Sequence, residues 1–170
     1  VKCTTQFIVG ASHETDAEII DSLFGLYNQM NFKRVYFSAY QKGLGDPEIP
    51  GERKFLSSSE KPFLREHRLY QVDFLSRKYG FAREDILCDT SGNLRLDKDP
   101  KEVWAEHHPE CYPVRVNTAD REALLRVPGL GPVTVDTILT KRRERRVTRL
   151  EDIGLRGKRF EKVKSYVVFE

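Results

Sequence analysis

Arg126-Val127-Pro128-Gly129-Leu130-Gly131-Pro132 constrains the fold more than any other stretch of the chain, because two glycines and two prolines interrupt apolar residues that recur at helical spacing on both sides. Gly129 and Gly131 can take backbone angles closed to other residues, and Pro132 suits the first position of a helix, where no amide donor is needed. Ala123, Leu124 and Val127 mark a helix before the turn, capped by Asn117 or Thr118. Val135, Ile138 and Leu139 mark a helix after it. The expected result is a hairpin of two short antiparallel helices with bare amides at its corner. The positive end of the second helix dipole makes such a corner a natural phosphate site.

A degenerate copy follows. Gly129-Leu130-Gly131-Pro132-Val133-Thr134-Val135 lies over Gly154-Leu155-Arg156-Gly157-Lys158-Arg159-Phe160, with Val135 matching Phe160 and Ile138 matching Val163. Thr148-x-x-Glu151 reads as a capping box for a short helix through Leu150 and Ile153. Arg156 replaces the second glycine and the proline is lost, so this copy is expected to serve packing more than phosphate.

Leu124 to Val135 resembles the helix-hairpin-helix family, whose pattern runs apolar-x-x-Val-Pro-Gly-Ile-Gly-Pro-Lys-Thr-Ala. Val133 stands at the usual lysine and Val135 at the usual alanine. The resemblance implies contact with the DNA phosphate backbone through Gly129, Leu130, Gly131 and Thr134, with Lys141, Arg142, Lys158 and Arg159 nearby. It also implies a compact all-α unit of paired motifs over residues 117–170. Such contacts position a protein on DNA without reading its sequence.

Charge is distributed accordingly. Residues 117–170 hold 13 Lys and Arg against 8 Asp and Glu, net +5, whereas residues 1–116 hold 16 against 18, net −2. The run Lys141-Arg142-Arg143-Glu144-Arg145-Arg146 would neutralise phosphates and make binding salt-sensitive. Its simpler reading is a solvated helix C-terminus, where cations also suit the dipole.

With 170 residues, 39% of them apolar, and no run approaching a membrane span, the chain is expected to form one or two globular domains away from membranes. Cys3, Cys88 and Cys111 are too few and scattered for a disulfide framework or a zinc knuckle, which points to a reducing, cytoplasmic setting. His107, His108 and Cys111 lack a second ligand pair, and a helix end before Pro109 accounts for them.

The first forty residues read as a β-α-β unit. Thr4 to Val9 and Val35 to Tyr40 are rich in β-formers, Thr15-x-x-Glu18 is a capping box, and Ile20, Leu23, Phe24 and Tyr27 share a helical face. Parallel strands gather ligands at their C-terminal ends. Here those ends are Gly10-Ala11-Ser12-His13-Glu14 and Ser38-Ala39-Tyr40.

Phe7-Ile8-Val9-Gly10-Ala11-Ser12-His13-Glu14 resembles the strand-five motif of radical S-adenosylmethionine enzymes, and Tyr36-Phe37-Ser38-Ala39-Tyr40 resembles their sixth strand. Together with Arg65-Glu66-His67-Arg68-Leu69-Tyr70-Gln71, Asp97-Lys98-Asp99-Pro100 and the terminal hairpin, the series is similar to one subgroup of DNA modification or repair radical proteins. That resemblance implies S-adenosylmethionine contacts at Ile8, Gly10, Ser38 and Tyr40, and a [4Fe-4S] cluster in the full-length enzyme. It also implies DNA as partner, with a DNA glycosylase or other repair protein as a further one. The Cys-x-x-x-Cys-x-x-Cys loop that holds such a cluster does not occur in this sequence, and the chain lacks an initial methionine. The expectation is therefore a C-terminal fragment without radical activity of its own.

The middle of the chain says less. Gly43 to Ser59, with Gly45-Asp46-Pro47 and Pro50-Gly51, reads as a loop or lid. A helix is expected from Pro62 to Tyr79 with Gly80 as its cap and Val72, Leu75 and Tyr79 buried. On it, Arg65-x-x-Arg68 either grips a phosphate or carboxylate or forms a charged outer face with Glu66. Asp99-Pro100-x-Glu102 starts a shorter helix carrying Trp104, expected to be a packing anchor between the parts.

The expected class is α/β: a partial parallel β-α-β, the end of a truncated radical-enzyme barrel, in residues 1–61; connecting helices in 62–116; and an all-α tandem helix-hairpin-helix domain in 117–170, its second motif degenerate. The functional expectation is non-sequence-specific DNA binding by the C-terminal part of a radical enzyme. The alternative is a non-enzymatic interaction module whose hairpins pack against a protein partner.

Overall fold

In the computed structural model, residues 2–53 and 61–170 are described. They form a mixed α/β chain with seven α-helices and two small parallel sheets, divided into two compact units. The first comprises Val1–Arg77 and Phe81–Pro100, the second Lys78–Gly80 and Lys101–Glu170. The stretch expected to be connecting helices is thus shared between them. Part of the loop expected at Gly43 to Ser59 lies outside the described residues, and Pro50–Arg53 within it is a short helix, α2.

The first unit is built on the anticipated β-α-β. Strands β1 (Thr4–Val9) and β2 (Arg34–Ala39) pair in parallel, Thr4 opposite Arg34 through Val9 opposite Ala39, around helix α1 (Asp16–Asn28). The Thr15 hydroxyl accepts the Glu18 amide while the Glu18 carboxylate accepts the Thr15 amide, so the capping box closes as its spacing requires. Ile19, Ile20, Leu23 and Phe24 of α1 bury one face with Val35 and Phe37 in the core.

The outer edge of β2 is sealed by side chains. Tyr27 donates its hydroxyl to Asp73 and accepts the Val35 amide at 3.0 Å; the Tyr70 hydroxyl accepts the Phe37 amide and donates to the Phe37 carbonyl; Glu66 accepts the Ala39 amide at 2.8 Å. Alternate amides of the strand are thereby occupied without another strand. Tyr70 and Glu66 lie on helix α3 (Pro62–Tyr79), whose Val72 and Leu75 are buried and which ends at Gly80 in the left-handed region.

The second unit begins with helix α4 (Pro100–His107), in which Val103, Trp104 and Ala105 are buried. The Trp104 ring stacks on His108 and lies under Arg126. His107 and His108 direct ring nitrogens to the Val103 and Trp104 carbonyls, as a helix end would have them. Helices α5 (Arg121–Arg126), α6 (Pro132–Glu144) and α7 (Gly157–Lys164) and a 3-10 turn at Leu150–Ile153 enclose a core of Leu124, Leu130, Val135, Ile138, Leu155 and Val163.

Three local expectations are corrected. The region is not wholly helical: β3 (Val114–Arg115) and β4 (Val167–Val168) pair in parallel, with the Val114 and Val116 amides on the Tyr166 and Val168 carbonyls. Runs this short carry no readable alternation. The cap of α5 is Asp120, which accepts the Ala123 amide at 2.7 Å; Asn117 instead ties the Val147 backbone, through both its amide and its carbonyl, to the chain end at the Phe169 carbonyl. At the second hairpin, Asp152 rather than Glu151 accepts the amide and hydroxyl of Thr148.

Candidate functional site

The two hairpins of the second unit share one backbone plan. Gly129 and Gly154 sit at equivalent positions with φ of 88° and 78°. Leu130 and Leu155 follow, both buried, and Gly131 and Arg156 are the extended caps of α6 and α7. The amides after the glycines turn inward: Leu130 donates to the Val127 carbonyl and Leu155 to the Leu150 carbonyl. The internal repeat read from residue types therefore recurs in the chain geometry, although the second copy lacks the proline.

The first corner is tightly held. Lys101 donates to the Leu130 carbonyl at 2.6 Å, and Arg159 of α7 donates to both the Gly129 carbonyl and the Thr134 hydroxyl at 3.1 Å. A Cβ at residue 129 would stand 2.8 Å from Val163 Cγ2, and one at residue 131 would stand 3.3 Å from the Tyr79 hydroxyl. Glycine is thus required at 129 by packing and by its positive φ, before any ligand is considered.

Of the three corner amides expected to meet phosphate, that of Leu130 already donates to the Val127 carbonyl, whereas those of Gly129 and Gly131 donate to no acceptor among the described residues. Thr134 is half-buried beside Arg159, and Lys158 and Arg159 are exposed at the start of α7. Lys141 and Arg142 are differently placed. Lys141 donates to the Asp152 carbonyl, and Arg142 donates to the Val116 and Ala119 carbonyls at 3.1 and 2.6 Å, so both brace the unit from within. Arg143, Arg145 and Arg156 are exposed and form no ion pair among the described residues. Arg156 is not among the residues expected to meet phosphate; its place in the degenerate repeat points instead to packing.

The second hairpin carries a fixed charge of its own. The Thr148 amide, followed by its hydroxyl and the Arg149 side chain, holds the Asp152 carboxyl down to about 2, so this acid is a fixed anion that fastens the turn. Val133, 81% exposed, occupies the first turn of α6 where the resembling family carries lysine.

In the first unit, Gly10 and Tyr40 line a cleft at the carboxyl ends of β1 and β2. Ile8 and Ser38, opposite one another in register, do not line it; Ile8 is 46% exposed on the sheet face. The Tyr40 hydroxyl donates to Glu52 at 2.6 Å, and that acceptor pushes its pKa up to about 12. Of the four residues expected to hold S-adenosylmethionine, this cleft brings together Gly10 and Tyr40. No three His, Cys, Asp or Glu side chains among the described residues are grouped to hold a metal, with Cys3 and Cys111 exposed and Cys88 half-buried apart from them. These donors do not fit an iron–sulfur cluster.

No helix among the described residues is long and apolar enough to cross a membrane. Comparison of the chain with protein-family models, curated proteins and solved structures finds no match.

Proposed function

We propose that the second unit binds nucleic-acid backbone, with duplex DNA as its ligand, through a tandem helix-hairpin-helix arrangement. The observation that carries this reading is the pair of unengaged amides at Gly129 and Gly131, at the start of a 13-residue helix and beside Thr134 and Arg159. Two free amides, a hydroxyl and a guanidinium suit a phosphate oxyanion, and the helix dipole adds to their attraction. Lys158, Arg156 and Arg143 supply further cations for neighbouring phosphates. Contacts of this kind position the protein without selecting sequence. Lys141 and Arg142 enter this reading as braces of the fold.

The resemblance of residues 4–14, 34–40 and 65–71 to a radical enzyme of DNA modification or repair fits a DNA-engaging role for this chain. No chemical step is assigned to its residues, because the sequence holds no cluster-binding cysteine triplet.

A second reading rests on Val133. An exposed apolar side chain at the rim of the corner suits a protein surface better than a phosphate, so a partner protein docking on the hairpin is the competing function.

Titration of ¹⁵N-labelled protein with a short duplex separates the two. The DNA reading expects the Gly129 and Gly131 amide resonances to shift strongly and that of Leu130 weakly, together with residues 157–159. Shifts that avoid the corner, or none at low salt, contradict it.

A further inference from the structure

The cleft of the first unit encloses about 610 Å³, a size that admits a small metabolite. Its walls come from the β1 and β2 ends, the starts of α1 and α3, and the turn at residues 89–97. That turn is stitched to α1. Asp16, 1% exposed, accepts the Leu94 amide at 2.9 Å, while its own amide donates to the Asn93 side chain and Ala17 donates to the Gly92 carbonyl.

Asp16 also fixes Arg65. The Arg65 Nε lies 2.6 Å from its carboxylate and Nη2 donates to the Glu14 carbonyl at 2.9 Å, leaving Nη1 without a partner among the described residues. Gly10 lies beside that nitrogen, where even a Cβ would be at an ordinary contact distance of 3.9 Å. A guanidinium anchored on two sides, with one nitrogen open to a cleft, is organised for an anion before any ligand arrives.

The acids of the cleft each have donors from their own wall. Glu14 accepts the Gly10 amide and the Ser12 hydroxyl, Asp89 accepts the Ser91 amide and hydroxyl and the Asn93 amide, and Asp97 pairs with Arg95. The Ser91 hydroxyl, then the Asn93 amide, hold Asp89 below the usual carboxylate range; the Arg95 side chain does the same for Asp97. Exposed His13 and Lys61 line the same cleft and have no such internal partners among the described residues.

We infer that this cleft binds a phosphate-bearing small molecule, with Arg65 Nη1, Lys61 and His13 on the phosphate. Internal donors hold Glu14, Asp89 and Asp97 in the wall of the cleft, while Arg65, Lys61 and His13 line the same open volume. This site is independent of the hairpin reading and uses none of its residues.

The test is NMR titration of the chain with inorganic phosphate, adenosine monophosphate and adenosine. Both phosphate-bearing probes are expected to shift the Gly10, Asn93 and Arg65 Nε–H signals, and adenosine is expected to leave them in place. Tighter binding of the monophosphate than of inorganic phosphate would assign a nucleotide-like body to the ligand, and equal binding a free phosphate. Because Arg65 also supports buried Asp16, the decisive variant is the surface pair Lys61→Gln with His13→Gln, expected to weaken the monophosphate about tenfold. Unchanged affinity in that pair, adenosine binding as well as its monophosphate, shifts confined to Gly129 and Gly131, or no shift with any probe would overturn the assignment.

Discussion

The ammonium of Lys101, 5% exposed, lies 2.6 Å from the Leu130 carbonyl and 4.6 Å from the centre of the Tyr79 ring. A buried cation thus holds the apex of the glycine corner while the Val127 carbonyl holds the adjoining amide. The corner is a rigid element before it meets any ligand, and its free amides keep a fixed direction.

Replacing Lys101 with methionine keeps the side-chain length and removes the donor, leaving the Leu130 carbonyl buried without this partner. A charged hydrogen bond of this kind contributes about 2 kcal/mol. Urea unfolding followed by circular dichroism is expected to show a loss of that order. An unchanged midpoint would mean that water or another donor replaces the ammonium freely.

The two hairpin glycines should differ in their tolerance. Gly129→Ala meets Val163 Cγ2 at 2.8 Å and also strains a φ of 88°, whereas Gly154→Ala strains a φ of 78° but enters open space. Left-handed strain alone costs about 1 kcal/mol, and overpacking adds about 1–3 kcal/mol. Thermal unfolding is expected to rank Gly129→Ala as clearly the less stable; equal losses would remove the packing explanation for that glycine.

Much of this architecture was legible in residue types. The Thr15–Glu18 box, the apolar face of α1 and the Pro132 start of α6 are local signals, and the structure places each where local chemistry puts it. What the sequence concealed depends on distant partners. Nothing near Lys141 or Arg142 foretells that carbonyls of residues 116, 119 and 152 will claim them, and a run of cations reads as a phosphate surface until those carbonyls are located. Likewise the three side chains that seal β2 come from residues 27, 66 and 70, so the end of the sheet is a tertiary property.

Tyr70 offers a direct probe of that seal. Tyr70→Phe retains the ring that meets Phe37 edge-on at 5.2 Å but deletes the hydroxyl bonded to both the amide and the carbonyl of Phe37. Two backbone groups lose their partner, at a cost of about 1–3 kcal/mol. Hydrogen exchange should accelerate at the Phe37 amide specifically, and an exchange rate equal to the parent's would show that the strand edge is protected by other means.

Acid should loosen the second hairpin. Asp152 is lowered from an ordinary 3.8 to about 2 in the folded protein by the Thr148 amide first, and then by the Thr148 hydroxyl and Arg149. A depressed acid contributes its stability fully above its unfolded pKa and loses it as pH falls through the folded one. The stability gap between the parent and Asp152→Asn is therefore expected to be full at neutral pH and to close between about pH 4 and pH 2. A gap that persisted at the acid end would assign the effect to shape instead of charge.

Salt dependence of duplex binding tests the central claim most directly. With a fluorescent duplex and anisotropy as readout, the logarithm of the association constant is expected to fall linearly with the logarithm of salt, by about 0.9 for each phosphate neutralised. Lys158→Gln combined with Arg159→Gln should flatten that line by about one for each cation removed. A parent affinity indifferent to salt, or a double variant that keeps the parent's slope, would contradict phosphate binding at this corner.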